Sequence, residues 1–591
     1  MNIIICGAGR VGFSISKQLS AQGHSITVID QSSEYIQKIN DTQDVKGVVG
    51  RATFPSVLEK AGAEDADMII AVTQNDETNM VICQVAYSIF KINKKIARIR
   101  GQEFLGAKWS KLYGQSNLPI DVIISPELEV AKSLQRKLDA PGALDSVPFA
   151  GGKIKVLEIN IGKNCPLVNT ELSKLTERYP NLRANILGVI RGEKFVILKK
   201  KDKMLVDDKA FVVVNASQIN ITLSAFGHEE KIAKKILIVG GGNIGFNLAK
   251  NLETDYEGIR VKIIEKNKDR AEFIANELNN TIVINGDGLD EDVLKEANIE
   301  EAETILSLTN DDEDNIMVSV LAEKNNPRAD VIWGLAATSL MLLQSEGMLQ
   351  AYAPKGLNKL DSKFRDSANP PSWTGMDAWI AAVCVNTVEA ERNNLPTPTS
   401  WMDLTDPVYK GHLVMPNPNS SGTGFLDVSS WLQIYGERGG WQFMDNLHEN
   451  IAWYTHSGSK PCKQAARGET PIGISFAFRG AKSKAAGAPL DIILPKEGVG
   501  WDMEATAIVK GTKKLSAAQT LVDWSITKKA NKLYNQGYAV VAYPGIAKPV
   551  KHFPEGILDA MINNDFEFAA VNRKKILAEW QKRYDAKSEA K

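Results

Sequence analysis

The chain has 591 residues, 43% of them hydrophobic and 24% charged, with a formal net charge of −1. That length exceeds what one hydrophobic core sustains, ~250–300 residues, so several domains are expected. The near-zero charge excludes a broad basic surface for nucleic acid or anionic lipid, and no apolar run approaches the ~20 residues that cross a bilayer.

Met1-Asn2-Ile3-Ile4-Ile5-Cys6-Gly7 runs straight into a strand and a glycine turn, with no basic segment or cleavage site, so a cytoplasmic protein is expected. The turn Gly7, Ala8, Gly9, Arg10, Val11, Gly12 recurs as Gly240, Gly241, Gly242, Asn243, Ile244, Gly245. The repeat extends downstream: Ser25–Asp30 resembles Arg260–Glu265, Val48–Leu58 resembles Ile284–Leu294, and Met68–Asn79 resembles Thr304–Asn315. Each copy reads as a short apolar strand (Ile3–Cys6; Ile236–Val239), the turn, an amphipathic helix, and a second strand ending in a carboxylate. Strand and helix then alternate, which predicts a parallel, doubly wound α/β sheet in each copy. Between the copies, Lys153–Ile161, Asn185–Arg191, Lys194–Lys199 and Lys209–Val214 alternate or run β-branched, which predicts a small mixed α+β domain followed by a linker near His228–Lys235.

The glycine spacing carries a mechanism. The first glycine permits a tight turn after the strand, the second lets backbone approach a pyrophosphate, and the third lets the helix pack close. The pyrophosphate then rests on the uncapped amides of the helix start. Asp30 and Glu265 follow the third glycines by about twenty residues, where a carboxylate accepts bonds from ribose hydroxyls. Thr73 and Gln74, with their counterparts Thr309 and Asn310, end the fourth strand at the carboxyl edge, where ligands bind in such sheets, and Arg98 stands where it can meet a phosphate.

On GAGRVG, Asp30, GRATFPSVL and TQNDETN, residues 1–320 resemble TrkA-type regulators of Trk potassium uptake. The resemblance implies a Rossmann-like nucleotide-binding domain at 1–126, a small C-terminal-type domain at 127–230, and a second, truncated nucleotide-binding domain at 231–322. It also implies NAD(H), or ATP and ADP, as ligand, a homo-oligomer, and a Trk-type potassium-transporting membrane subunit as partner, with the protein peripheral to the inner membrane. The competing class is an NAD-dependent oxidoreductase. That chemistry needs a proton-transfer group beside the nicotinamide, and between Met1 and Val320 the only histidines are His24, in a helix-to-strand turn, and His228, in the linker. No catalytic residue is assigned.

After Leu321-Ala322-Glu323-Lys324 the repeat stops, without a counterpart of Ile96–Ile99. Tryptophan use changes as well: of 11 tryptophans, only Trp109 precedes Trp333. From Asn326 on, the segments PSWTGMDAW, SWMDLTDPVYKGHLVMPNPNSSGTGFL, THSGSKPC, GETPIGISFAFRGAKSKAAG and EGVGWDMEATAIVKG resemble class II periplasmic solute-binding proteins of the 2-aminoethylphosphonate and iron group. Ser420, Ser421, Gly422 and Thr423 offer hydroxyls and amides at a helix start, which suits a phosphonate-like anion, and Thr455, Ser457 and Ser459 form a second such loop. Asp502 and Glu504 are candidates for an ammonium group, with Trp373 or Trp379 as an aromatic face. Phe476 and Phe478 stand where the iron binders of this group are expected to carry a tyrosine pair, so a hard cation is disfavoured. The histidines and the cysteines Cys6, Cys83, Cys165, Cys384 and Cys462 show no metal-ligand spacing, and the cysteines are expected to be free buried thiols.

The fold class expected is therefore two doubly wound units with a small α+β domain between them, then an incomplete class II binding-protein fold over 326–591 that lacks its first strand and helix. The junction is expected at Val320–Asn326, where a helix, a short turn and a strand suit both parents, and the chain reads as a chimera. The alternative is a natural fused sensor whose second half binds a small anion.

Overall fold

Ile3, Ile4 and Ile5 are consecutive and at most 3% exposed, which a strand allows only when both of its faces are covered. In the computed structural model, which describes residues 1–179, 182–309 and 311–589, they lie in β1 (Asn2–Cys6), inside a six-stranded parallel sheet with β2 (Ser25–Asp30), β3 (Lys46–Val49), β4 (Met68–Ala71), β5 (Lys94–Arg98) and β6 (Val122–Ile124) in the order β3-β2-β1-β4-β5-β6. Ile4, Cys6 and Ile29 pack with Leu58, Met80 and Cys83 on one face, whereas Ile3, Ile5 and Val28 pack with Ile36 and Ile39 on the other. Helices on both faces make the sheet doubly wound, as expected. The strand order reverses between β1 and β4, and the crevice at their carboxyl ends is where such sheets hold ligands.

The chain divides into two units, Met1–Asp287 with Glu301–Thr304, and Gly288–Glu300 with Ile305–Lys591. Within the first, a five-stranded antiparallel sheet follows the six-stranded one. It contains β7 (Asp145–Phe149), β8 (Ile154–Asn160), β9 (Ala184–Arg191), β10 (Lys194–Val196) and β11 (Lys209–Asn215), ordered β10-β9-β11-β8-β7. Four of these strands match the sequence expectation. The fifth, β7, carries Pro148 and sits at an edge, where a missing N–H is tolerated. The helix Pro126–Asp139 packs beside the helix Asn243–Asp255, with Tyr256 hydrogen-bonded to Asp139 and Gln135 to Asp255 at 2.8 Å.

The repeat returns as β12 (Lys235–Val239), β13 (Arg260–Glu265), β14 (Ile282–Asn285) and β15 (Thr304–Ser307), ordered β14-β13-β12-β15. This is the order of the first sheet, ended after four strands. The helix Asp312–Ala322 follows β15, capped by Asp311, and buries Met317 and Val320 in the core of the second unit.

That unit is built on β16 (Val331–Ala336), β17 (Leu349–Gln350), β18 (Trp373–Asn386), β19 (Leu413–Pro416), β20 (Ile451–Thr455), β21 (Ile472–Phe476), β22 (Leu490–Ile493), β23 (Trp501–Val509) and β24 (Val540–Val541), along the path β16-β23-β18-β21-β19-β20. The 14-residue β18 joins the two halves of this sheet, its first part paired with β23 and its last with β21 and β22. Bulges at Gly334 in β16 and Met376 in β18 bring Ala336 and Asp377 opposite Glu504 of β23.

One expectation fails here. Cys384 and Cys462 are not free thiols but a disulfide, with Cα atoms 5.4 Å apart. They are 78 residues apart in sequence, so no spacing pattern betrays them. The helix Lys460–Ala466 brings Cys462 to β18, sharing a small core with Cys384, Ala465 and Leu490. Cys6, Cys83 and Cys165 are buried and free, as expected. Among the described residues no helix is long and apolar enough to cross a membrane, and no cluster of His, Cys, Asp and Glu could hold a metal ion.

β5 is anchored by a buried cation. The Lys95 side chain is 2% exposed and pairs with Asp121 at 2.9 Å, while its Nζ also donates to the Asn93 carbonyl at 2.8 Å. Burial alone would raise the Asp121 pKa, but the hydrogen bonds and charge of Lys95 outweigh it and hold the carboxyl below its usual range. The pair therefore stabilises the fold above the ordinary aspartate range, and the contribution is lost as pH falls through the lowered value. Asp121→Asn strands the buried ammonium. It is expected to cost on the order of 2–3 kcal/mol, at or below the usual range because the carbonyl contact survives, measured as a lowered urea midpoint of the first transition.

Candidate functional site

The first glycine turn leaves β1 at Gly7, whose φ of +111° suits glycine alone and whose Cβ would stand 2.9 Å from the Val72 carbonyl oxygen at the end of β4. A Cβ on Gly12 would lie 1.7 Å from the Gly7 carbonyl oxygen, so helix and turn are in backbone contact. Gly9 is different: a Cβ there would meet nothing within 4 Å. It precedes the helix Arg10–Ala21, which has no side-chain cap. The first amides of that helix therefore lack a cap and border open space, the condition for anion binding. Asp30 is held against this turn, one carboxylate oxygen accepting the Ala8 N–H at 2.7 Å and the other the Ser32 N–H at 2.8 Å. Ala8 is buried, Val11 half-buried and Arg10 exposed at the helix start.

At the adjoining edge, the buried Asn79 is the organising residue. Its carbonyl oxygen accepts from the Thr73 N–H (2.9 Å) and hydroxyl (2.7 Å), and its amide donates to the Arg98 carbonyl at 2.9 Å. Asn79 ends the TQNDETN stretch, whose pattern does not tell which of its polar residues points inward. Arg98 donates to the Thr73 carbonyl, and its Nε is buried without a partner. Burial lowers its pKa, as does the neighbouring Arg100. Gln74 is exposed at the same edge.

The second turn repeats the first. Gly240 has φ +108°, Gly242 faces open space before the uncapped helix Asn243–Asp255, and a Cβ on Gly245 would lie 2.1 Å from the Gly240 carbonyl oxygen. Glu265 accepts from the Gly241 and Asn267 N–H groups, each at 2.8 Å, reproducing Asp30. Ile244 is half-buried behind Asn243. Sequence reading missed Arg270, which donates to the Gly241 carbonyl at 2.9 Å and lies over the rings of Phe246 and Phe273. The first copy has Tyr35 at that position, so the repeat itself gave no signal. In the second unit, Thr309 donates its N–H to Asn315 at 2.8 Å, as Thr73 does to Asn79. Asn310 lies outside the described residues. Among the described residues the four-stranded sheet has no strand equivalent to β5, and so no equivalent of Arg98.

Also in the second unit, the two hydroxyl loops meet. Ser421 caps the helix Gly422–Asn450 by accepting the Gly424 N–H, Ser420 hydrogen-bonds His456 at 3.0 Å, and Thr423 packs so closely on Gly458 that a Cβ there would stand 2.3 Å from its hydroxyl. Thr455 is fully buried and donates to the Ser457 carbonyl at 3.0 Å, while Ser457 and Ser459 contact each other at 3.3 Å. Glu504 is hydrogen-bonded by the Tyr538 hydroxyl, and Asp502 accepts from the Thr338 hydroxyl at 2.9 Å. Burial raises the pKa of both; Asp502 reaches about 7, with the charge of Glu313 adding to the rise. Asp377, pushed to about 9 by burial and then by Glu504, has one carboxylate oxygen buried without a partner. Trp373 belongs to the core and Trp379 packs against it. Aromatic groups near these acids also include Tyr538, on Glu504, and Tyr534, whose hydroxyl feels the charge of Asp377, with Trp333 at 6.4 Å and Trp524 stacked on Trp333 at 5.9 Å.

Residues 3–126 and 236–339 match the TrkA-N domain, residues 156–227 the TrkA-C domain, and residues 326–568 the bacterial extracellular solute-binding protein family. The Trk system potassium uptake protein TrkA of Azorhizobium caulinodans is 43% identical over 324 residues, covering 55% of this chain and 71% of that protein. The protein of the same name from Vibrio alginolyticus is 39% identical over 324 residues, 55% of this chain and 70% of its own. Among solved structures, the periplasmic binding protein AfuA of Actinobacillus pleuropneumoniae, with fructose-6-phosphate bound, is 28% identical with a TM-score of 0.43, over 50% of this chain and 94% of that one.

The two kinds of glycine in the first turn should separate cleanly. Gly12→Ala drives a methyl into backbone and is expected to destabilise the first unit by at least the ~1–3 kcal/mol of an overpacked site. Gly9→Ala, at φ −65° in open space, should leave its thermal midpoint within about 1 °C. Differential scanning calorimetry of the two variants checks this.

Proposed function

Because the chain belongs, over 324 aligned residues, to the family of the Trk system potassium uptake protein TrkA, we propose that it senses NAD(H), with ATP and ADP as competing adenine nucleotides, at the turn Gly7–Gly12 and Asp30. The N-terminal region is a TrkA-like regulatory subunit of Trk potassium uptake, and the C-terminal region resembles a solute-binding protein of ABC transporters. The observation that carries the ligand reading is the uncapped helix start at Gly9, open to space, with Asp30 fixed beside it. An anion completes the helix, and the outward face of Asp30 meets ribose hydroxyls. Thr73, Gln74 and Arg98 border the same carboxyl edge and complete the first site. The turn Gly240–Gly245 with Glu265 is its second, weaker counterpart, since among the described residues no strand there supplies an equivalent of Arg98.

In this reading the domains are 1–126, 127–230, 231–322 and 326–591. The protein acts at the cytoplasmic face of the inner membrane, as an oligomer, on a Trk-type potassium-transporting subunit. It is a regulator rather than an oxidoreductase. His24 follows the far end of the helix Arg10–Ala21, and His228 lies against Gly142, so neither histidine stands at either glycine turn.

Isothermal titration of the full chain with NADH tests the proposal. Gly9→Glu places a carboxylate where the pyrophosphate would rest and should weaken binding at least tenfold, whereas Gly242→Glu should weaken it less. Equal affinity of wild type and Gly9→Glu would sink the reading.

A further inference from the structure

The helix Asp312–Ala322 continues the repeated nucleotide-binding pattern, yet its first turn reaches into the solute-binding fold. Glu313 accepts the Ala336 N–H at 2.8 Å and is also hydrogen-bonded by Ser339. Ala336 precedes the nine-residue helix Ala337–Ser345, which has no side-chain cap of its own. The second carboxylate oxygen of Glu313 lies 3.7 Å from where a Cβ on Gly422 would stand, and Gly422 opens the long helix behind the Ser420–Thr423 loop. One carboxylate thus sits at the starts of two helices, where unpaired amides and both dipoles favour an anion. The nearby cation is Arg573, whose charge acts on both Glu313 and Asp502 and whose guanidinium lies 4.5 Å from the centre of the Phe425 ring.

Glu313 holds this place beside a group of buried acids. Asp502 and Glu504 both feel it, and Asp377 stands opposite Glu504 in the strand register. Glu504 is also the register partner of Ala336, the residue whose amide Glu313 takes, so the anion-accepting amide and the acids are neighbours across one strand pair. The unpartnered, buried oxygen of Asp377 marks a polar group with nothing to bond. A small molecule with an oxyanion at one end and an ammonium at the other would satisfy both sides.

We propose that Glu313 is an internal ligand: it fills the oxyanion cradle formed by Ala336, Ser339, Gly422 and Arg573, and so closes the C-terminal site to small amine-bearing phosphonates. This rests on the solute-binding resemblance of residues 326–568 and is independent of the nucleotide reading, which is probed with a different ligand at a different turn. Titration of the full-length protein with 2-aminoethylphosphonate at neutral pH tests it. Wild type is expected to bind weakly or without measurable heat, and Glu313→Ala at least tenfold more tightly. Glu313→Gln keeps the shape and the accepting oxygen without the charge; it should also bind more tightly than wild type, and it carries the comparison if the alanine variant loses its cooperative unfolding. Failure of the folded variants to exceed wild type, whether all bind alike or none binds, overturns the proposal.

Discussion

The first amides of a helix point their hydrogens along the axis with no carbonyl to meet them, and every candidate site in this chain is an answer to that constraint. At the two glycine turns the answer is shared: Asp30 and Glu265 each accept one turn amide, while the helix starts behind Gly9 and Gly242 stay uncapped. At Gly422 the answer is local, because Ser421 caps the helix. At Ala336 it comes from a separate element, because Glu313 arrives on the helix before it. The first arrangement leaves room for a diffusible anion, the second is satisfied by the chain's own hydroxyl, and the third substitutes a side chain for a ligand. The same physical need is thus met by open space, by a neighbouring hydroxyl and by a carboxylate from another helix.

What could be read in the sequence follows from how local each answer is. The glycine turns were legible because three glycines and an acid at fixed spacing define the geometry without help from distant residues. The positive φ of Gly7 and Gly240 and the backbone contacts of Gly12 and Gly245 were implied by that spacing. Asn79 and Arg270 were not legible. Asn79 acts by linking two strand ends, and Arg270 by folding back from the next helix, so neither role leaves a periodic trace. The Cys384–Cys462 pair was misread for the same reason: residues separated by 78 positions meet only once the helix Lys460–Ala466 has docked. Trp373 was one candidate for the aromatic face of an ammonium site, but a residue type does not tell which side of a strand it takes, and the structure buries it.

The junction was legible as local structure, a helix followed by a turn and a strand, and the helix Asp312–Ala322 and β16 bear this out. Its consequence was not. Met317 and Val320 sit in the same core as Leu335, Leu340 and Trp501, so the last helix of the repeat is part of the solute-binding unit rather than a tether to it. An amphipathic helix is specified by which positions are apolar, not by which parent supplied them, so a helix that once faced its own sheet can bury the same stripe elsewhere. Its polar face travels with it, and that is how an acid of the nucleotide-binding pattern came to rest among the acids of β23.

The disulfide sets the two ends of this polypeptide at odds over where they are at home. A bond closing a 78-residue loop restrains the unfolded chain by on the order of 4 kcal/mol in the chain-entropy view, but only in an oxidising compartment. In a reducing compartment Cys384 and Cys462 would be kept as thiols and the C-terminal unit would forgo that restraint. Both units share one backbone, so a protease that seizes the looser one removes the other with it. The lifetime of the N-terminal unit would then be set by that of the C-terminal one.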